Sequence, residues 1–559
     1  MPTHGNPEDY APDFSPHDWS ARDVRFLKPF ATNANGLVSV LRNLPPEIVG
    51  ALCSRASRAR GSLLEVLLKE YIYPIVDGGE RSLAGELEST VDFLTEHGFK
   101  NILNNHRAQK FYAKWLSQYG DDSIAQMTGT HVILWGISQV AMKFVEDQRI
   151  GLEPIEKSTR YVNFGNKVGG RYLYYIPKPD LERTSLLGEY RETMDHLFDT
   201  YVALLGPLEA WLQTNFDEKK SILEKKAFDT LRGLLPMATL GQVAIRGNAQ
   251  SFEYLLNRTA QHPLGECRWL AAALKTELDE EIPSLLLRLQ DEKSKDYQEY
   301  LSRRNDLVRD FIRDHDARHV TRKPRAQVKL VEYDPEGETK VLAAIIFAQS
   351  HAGWDEAVET VRGLSDAGKR NLLDCYFADR PARWYKVGRS LENSYLRFEI
   401  LIDIGSYRDL HRHRMMTQER QRFSTHHGYT VPTEITESGL TDRYTGALDR
   451  AAILFGKLES EDPELAQYAV PLAFRMRFYQ WQNFRQFFWE TELRTISQGH
   501  PDYRFIEQEK YRLVKEKFPL ISPHVLIDMA DYSIARRGTE EKIQNKEEQI
   551  LTKLKDRNG

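Results

Sequence analysis

Residues Tyr395–Arg414 read YLRFEILIDIGSYRDLHRHR, and two patterns meet in them. Along Tyr395–Asp403, Leu396, Phe398, Ile400 and Ile402 fall on one face. Arg397, Glu399 and Asp403 fall on the other, with Leu401 the exception. A period of two predicts a half-buried β-strand. The stretch then runs into Arg408-Asp-Leu-His411-Arg412-His413-Arg414, the densest cluster of chemistry-bearing side chains in the chain.

Working outward, the same order of events occurs earlier. Tyr119–Gln126 precedes an apolar segment ending at Trp135, a helix-like Ile137–Val145, and then Arg149 to Tyr161. In the second half Gly388–Glu392 precedes the strand, and Tyr407–Gln421 follows it. Each half later carries a proline-then-helix phrase, Leu235-Pro236…Asn248…Arg258 and Val470-Pro471…Asn483…Arg494. Their proline-to-arginine spans are 22 and 23 residues. Two landmarks in the same order suggest an internal duplication. Between the halves lies a charged connector, RRNDLVRDFIRDHDARHVTRKPRAQ (Arg303–Gln327), expected as a solvated helix or linker because aspartates interrupt its arginines. A strand at Val328–Tyr333 and a helix at Thr339–Gln349 open the second half. The tail Arg536–Gly559 is charged and reads as a helix with a frayed end.

The 559 residues would allow about three to five domains, or two large ones. Lys and Arg number 76 against 81 Asp and Glu, a net charge of −5, which argues against a chain-wide polycation for nucleic acid but leaves room for local basic pockets. A hydrophobic fraction of 41% excludes wholesale disorder. No apolar run approaches the roughly 20 residues of a membrane helix. The first residues lack a basic and an apolar region, so they read as a polar leader. Cys53, Cys267 and Cys375 are scattered, which disfavours a disulfide framework and a cysteine zinc site and points to a reducing, cytoplasmic compartment.

Three clusters could carry chemistry. Arg408–Arg414 is either a basic helix face or a clamp for phosphate or flavin, because two guanidiniums flanking an imidazole make charge-assisted, bidentate contacts to anionic oxygens. His411 and His413 are two apart and point away from each other on a helix, so no metal site is read there. Glu153-Pro-Ile-Glu156-Lys-Ser158-Thr-Arg160-Tyr161 is either a turn or a nucleotide-phosphate site, with a hydroxyl, backbone N–H groups and an arginine converging on one anion. Trp481–Arg494 reads as a helix, with Asn483 and Arg494 on one face about 16 Å apart. Its aromatics belong to a core, while its polar Asn and Arg point to a ligand.

At this point the chain resembles the flavin-dependent thymidylate synthases. That family carries Arg-His-Arg, seven residues, then Ser and an Arg-Tyr ending. Upstream it has a Gly-His-x-Ser/Thr-x-x-Glu-His phrase, and downstream a Leu-Pro…Asn-x-Arg…Arg helix. The second half matches with Glu392, Arg412-His413-Arg414, Asn483, Arg485 and Arg494, but Arg422 stands where the serine should be. Only a short deletion would let Arg422-Phe423 stand for the Arg-Tyr ending. The first half matches with Gly120…Ser123, Ser158-Thr159-Arg160-Tyr161 and Leu235-Pro236…Asn248…Arg258. Its clamp has become Asp147-Gln148-Arg149, and Gln126 replaces the glutamate. The resemblance covers some 400 residues, and the losses of the two halves complement each other.

The resemblance implies an α+β, helix-rich fold of two tandem domains, each a twisted, mainly antiparallel sheet with packed helices. Its parts are a polar leader (1–34), a first domain (35–302), the connector (303–327), a second domain (328–540) and a charged tail (541–559). It implies FAD-dependent reductive methylation of dUMP to dTMP, with methylenetetrahydrofolate and NADPH as co-substrates, at sites composed from two degenerate halves. Arg412, His413, Arg414, Glu392, Asn483 and Arg485 would serve FAD. Ser158 and Arg160, with Glu156 beside them, would take the dUMP phosphate, and Arg258 or Arg494 would face the pyrimidine. Two fused copies imply a homodimer resembling the family tetramer. The competing readings are a non-catalytic flavin or nucleotide binder, and a related flavin enzyme acting on another pyrimidine.

Overall fold

The structure, a computed structural model, describes residues 5–15, 17–79, 81–99, 103, 105–118, 122–315, 327–532, 546 and 549–550. Two four-stranded antiparallel sheets organise the chain. One holds β1 (Val38–Leu41), β2 (Gly129–Ser138), β3 (Leu152–Glu156) and β4 (Leu240–Asn248), in the order β1-β2-β4-β3. The other holds β5 (Gln327–Tyr333), β6 (Leu396–Asp403), β7 (Thr417–Arg420) and β8 (Arg475–Gln482), in the order β5-β6-β8-β7. The same order in both sheets gives the duplication its structural form. The helix-rich α+β class expected from the resemblance is the class observed.

Alternation explains the strands. In β6, Leu396, Phe398, Ile400 and Ile402 are fully buried, and across it β8 buries Met476, Phe478 and Gln480. Each fully buried Leu or Phe contributes roughly 1.5–3 kcal/mol over its exposed state. In β2 the ladder shifts between Trp135 and Ile137. Gly136 occupies that bulge at φ +70, and a Cβ there would lie 2.7 Å from the Phe14 ring, so only glycine fits the turn of the backbone.

The helices that leave the strands begin at matched caps. Ser138 accepts from Ala141 N at 3.0 Å and starts Gln139–Glu146; Asp403 accepts from Ser406 N at 2.8 Å and starts Ile404–Leu410. Asn248 accepts from Ser251 N at 2.8 Å and Asn483 from Gln486 N at 2.9 Å, starting Ala249–Ala260 and Phe484–Arg494. Here the structure corrects the expected helix over Trp481–Arg494. Trp481 and Gln482 end β8, and Asn483 is the cap outside the first turn. The cause is local, since an asparagine oxygen that takes an orphan N–H favours the boundary over the helix interior. The segment between proline and asparagine is likewise a strand in both halves. Each cap helix is followed by one of 17 residues, Gly265–Glu281 and Pro501–Lys517.

Two compact units result. Unit 1 comprises residues 1–215, 220–320 and 432–471; unit 2 comprises 216–219, 321–431 and 472–559. Unit 1 thus draws the Thr441–Glu461 helix from the second half of the chain and packs it on Leu187–Asn215. Lys457 and Glu189, 2.7 Å apart, pair on the rim of that contact. Beside them Pro236 bridges Pro471, Met237 N donates to Val470 O at 2.8 Å, and Ala238 N donates to Tyr468 O at 3.0 Å. The two Leu/Val-Pro phrases therefore meet backbone to backbone inside unit 1. The Glu292–Asp314 helix runs into the connector, whose residues 316–326 lie outside the described residues, as does nearly all of the tail and Gly120. No described helix is long and apolar enough to cross a membrane.

Candidate functional site

In unit 2 the Arg-His-Arg tripeptide is the turn that ends the Ile404–Leu410 helix. His411 N donates to Tyr407 O at 2.8 Å and His413 N to Leu410 O at 3.2 Å, so the cluster is a helix end and not a continuous helix face. His413 is buried and Arg412 exposes half of its side chain. The last-turn arginine of Phe484–Arg494 fixes the imidazole, with Arg494 Nε donating to His413 Nε2 at 2.8 Å. The other ring nitrogen, Nδ1, lies 3.3 Å from the Gln486 amide nitrogen. Asp409 lies between the arginines, 3.8 Å from Arg494 and 4.0 Å from Arg412. The imidazole is thus a spacer pinned from behind, with a guanidinium on either side of it in sequence.

Glu392 and Arg485 are brought together at 2.6 Å, and Arg389 adds a contact at 3.1 Å. Partial burial alone would raise the Glu392 carboxyl, but the hydrogen bonds and charges of Arg389 and Arg485 outweigh it and hold the group below its ordinary value. Asn483 spends its side-chain oxygen on the helix cap.

In unit 1 the Glu156–Tyr161 loop leaves β3 under tight restraint. Lys157 N donates to Gln242 O at 2.7 Å and Ser158 N to Ser57 O at 2.9 Å. The Lys157 ammonium donates to the Arg60 and Gly61 carbonyls at 2.9 and 3.0 Å and stands 4.4 Å above the Trp135 ring. Burial pulls it down to about 8, against the opposing charge of Glu65. Glu156 is buried and bound to Lys143 Nζ at 2.9 Å, and Lys143 is shared with Glu146 at 2.5 Å. Ser158 Oγ accepts from Arg160 N at 3.2 Å. Arg160 Nη2 sits 2.9 Å from Asp229 Oδ2, and Arg232 Nε 3.3 Å from Asp229 Oδ1.

Arg232 was not legible as a site residue. Its only sequence signal is its place four residues before Pro236, at the start of a phrase read for its proline. It is 4% exposed, and its Nη2 has no hydrogen-bond partner among the described residues. Lys143, Asp409 and Gln486 were missed because buried polar partners leave no trace in composition.

Arg258, one residue nearer its helix cap than Arg494, makes in unit 1 the contact that Arg494 makes in unit 2. Its Nη1 donates to Gln148 Oε1 at 3.2 Å, and its guanidinium stacks 5.3 Å from Phe144 and 5.7 Å from Tyr254. Gln148 therefore stands for His413, as the Asp147-Gln148-Arg149 alignment expects. Arg149 adopts a left-handed φ of +63, whereas Arg414 does not. The registers also place the serine. Glu156 pairs with Val243 as Arg420 pairs with Phe478, which sets Arg422 in the place of Ser158, with one residue fewer in unit 2 between His413 and that position.

The family profile described as thymidylate synthase complementing protein matches this chain twice, over residues 84–284 and 329–520. A UPF0159 protein of Chlamydia pneumoniae is 33% identical over 535 residues, covering 94% of this chain and 98% of the relative. One of Chlamydia muridarum is 33% identical over 527 residues (92% and 96%). One of Thermoplasma acidophilum is 29% identical over 476 residues (78% and 92%). With each half of the chain matched and each sheet built alike, the chain belongs to the thymidylate synthase complementing protein family, the flavin-dependent thymidylate synthases, and carries the family unit twice.

Proposed function

We propose that the chain makes dTMP by reductive methylation of dUMP, with FAD as cofactor and methylenetetrahydrofolate and NADPH as co-substrates. The observation that carries this reading is the pinned tripeptide. His413 is held by Arg494 and Gln486, so Arg412 and Arg414 are spaced for an anionic dinucleotide, and Arg412 keeps half its side chain open to solvent. The donor set fits FAD in charge and in hydrogen-bonding type. Arg412, His413, Arg414 and the Glu392–Arg485 pair, with Asn483 ordering the helix start, would hold it. Bound flavin supplies the hydride chemistry that no side chain can.

The chain's own residues bind and stabilise charge. Ser158, Arg160 and Arg232 take the nucleotide phosphate, and Asp229 keeps the two guanidiniums side by side until the phosphate replaces it. Glu156, neutralised by Lys143, fixes the strand end that presents Ser158. Arg494 faces the pyrimidine, held through its Nε edge, where a guanidinium stabilises negative charge developing on the ring. Arg258 is its counterpart in unit 1, turned onto aromatic rings. By the family's assembly the chain is a homodimer.

Purified protein should be yellow, and it should release tritium from 5-labelled dUMP when given NADPH and methylenetetrahydrofolate. Yellow protein that binds dUMP without turnover would establish the binder reading instead. Colourless protein that takes up no FAD would defeat both.

A further inference from the structure

In unit 2 the segment ADRPARWYKVG, residues 378–388, joins the Asp366–Phe377 helix to the turn that carries Glu392. Two successive residues that are not glycine, Ala378 and Asp379, hold left-handed backbones at φ +41 and +53. Strain of this kind persists only where the surroundings fix the chain. Arg380 supplies the anchor. Its guanidinium forks onto the buried Glu492 carboxylate, with Nη1 2.8 Å from Oε1, and its Nε donates to Tyr385 O at 2.6 Å. Val387 is buried, and Gly388 closes the loop against the Tyr376 hydroxyl, where a Cβ would clash.

The anchored loop holds two large rings out in water. Trp384 is 69% exposed and Tyr385 55%, with ring centroids 6.5 Å apart. Adjacent apolar rings left open on a fixed loop mark a binding surface. Beside them the Lys386 ammonium stands 3.0 Å from the centroid of the Trp489 ring. Trp489 lies four residues beyond Arg485 on the Phe484–Arg494 helix, so the two share a face. The loop therefore lies against the helix that supplies the Glu392–Arg485 pair. Arg380 is paired with Glu492, and Arg389 and Arg485 with Glu392. Arg383 and Lys386 have no carboxylate partner among the described residues. The one acid of the loop, Asp379, stands at its left-handed neck. Partial burial and the charges of Arg383, Arg380 and Arg485 pull the Lys386 ammonium below its ordinary value, against Glu492. A bound anion would offset that field.

We infer that this loop binds the 2′-phosphoadenosine end of NADPH, with Arg383 and Lys386 on the 2′-phosphate and Trp384 and Tyr385 stacking the adenine. The inference rests on the proposed function, which needs a reductant for the flavin that Arg485 helps to hold. A phosphate monoester carries at most two negative charges, which two cations without carboxylate partners match, and arginine is the residue suited to a 2′-phosphate. Stacking serves any base, so selectivity lies with the phosphate. Neither FAD nor NADH has a 2′-phosphate, and none of the four residues belongs to the flavin or dUMP sets.

Calorimetric titration of the full-length chain with 2′,5′-ADP, and separately with 5′-AMP, tests it without turnover, since the two differ only in the 2′-phosphate. The first should bind at least about tenfold more tightly. Arg383→Ala/Lys386→Ala should remove that preference while flavin absorbance and dUMP affinity stay unchanged, and an unchanged circular dichroism spectrum guards against misfolding. Trp384→Ala should weaken both nucleotides alike, by about tenfold. In steady state the double variant should raise KM for NADPH and leave kcat and the KM for NADH in place. Equal affinities for the two nucleotides, no binding of either, an unaltered preference in the double variant, or flavin lost from it would overturn the assignment. Tritium release driven by dithionite in place of NADPH reads the proposed reaction separately.

Discussion

Lys510 is the place where unit 2 departs furthest from the core of unit 1. Its ammonium donates to Gln480 at 2.9 Å, Glu490 at 3.0 Å and Glu507 at 2.9 Å, and none of the three charged side chains has any exposed surface. Gln480 also donates to Glu490 and Thr491 to Glu507, each at 2.9 Å. Aligned from Asn248 with Asn483, and from one 17-residue helix to the other, the corresponding residues are Ile245, Leu255, Leu256, Ala271 and Leu274. All are buried in the unit 1 core. Lys510→Met would strand two carboxylates in that interior, at a cost of about 3–5 kcal/mol. The change Gln480→Ile/Glu490→Leu/Glu507→Ala/Lys510→Leu, which copies unit 1, should be neutral or stabilise by about 1–4 kcal/mol. A two-unit chain has no single unfolding free energy, so the assay is hydrogen exchange of the 475–482 peptide in the full chain. Lys510→Met should speed exchange by about a hundredfold or more at 1.4 kcal/mol per decade. Unchanged protection in Lys510→Met, or a fourfold variant as damaged as the single one, would refute the reasoning.

Three further outcomes are expected. Burial pushes Glu266 up to about 7 against hydrogen bonds from Ser138 and Tyr468. A carboxyl raised on folding holds a proton the unfolded chain has released, so its stabilising contribution is full below about pH 4.5 and is lost as pH rises to 7. That loss is on the order of 3 kcal/mol; Glu266→Gln should flatten it in hydrogen exchange of the 139–146 peptide at pH 5, 6 and 7 corrected for intrinsic exchange rates, and a wild-type protection flat over that range would count against it. Asn483→Ala should cost about 1 kcal/mol by fraying the first turn that carries Gln486, while Asn483→Asp, which can still cap, should keep flavin affinity. Arg412→Ala should remove the yellow absorbance and spare dUMP, and Arg232→Ala should weaken dUMP by at least about tenfold and spare flavin; joint loss in either variant would defeat the division between units.

Strands with one buried face were legible because their period survives any context: the alternation of Leu396 to Ile402 is a property of the chain itself. The duplication was legible for the same reason, since Pro236, Asn248 and Arg258 recur as Pro471, Asn483 and Arg494. Asn483 was misplaced because an aromatic-rich segment has no clear period at a strand-to-helix corner, and only the hydrogen bond to Gln486 N reveals a cap. Arg232, Lys143 and Asp409 were invisible because a buried charge is defined by its partner, and Arg232 meets Arg160 across Asp229 from 72 residues away. Nor could spacing show that residues 432–471 join unit 1, since that exchange rests on the Pro236–Pro471 bridge.

Duplication changes what each copy must conserve. Here His413 and Gln148 both accept from a guanidinium, but only His413 is flanked by two arginines, and Ser158 keeps the hydroxyl while Arg422 does not. The freed positions did not drift toward neutral residues. In unit 1 the matched tripeptide is Asp147-Gln148-Arg149 with Arg149 left-handed, a backbone state that costs a non-glycine residue about 1–2 kcal/mol. In unit 2 the loop after β7 and the strand beside it carry Arg420, Arg422, Arg475 and Arg477 where unit 1 has Glu156, Ser158, Leu240 and Gln242. Between them the two halves hold the Arg-His-Arg tripeptide once, at Arg412–Arg414, and the Ser-x-Arg pair once, at Ser158 and Arg160. On the proposed function each copy keeps the motif that the other has lost, so neither is a relic.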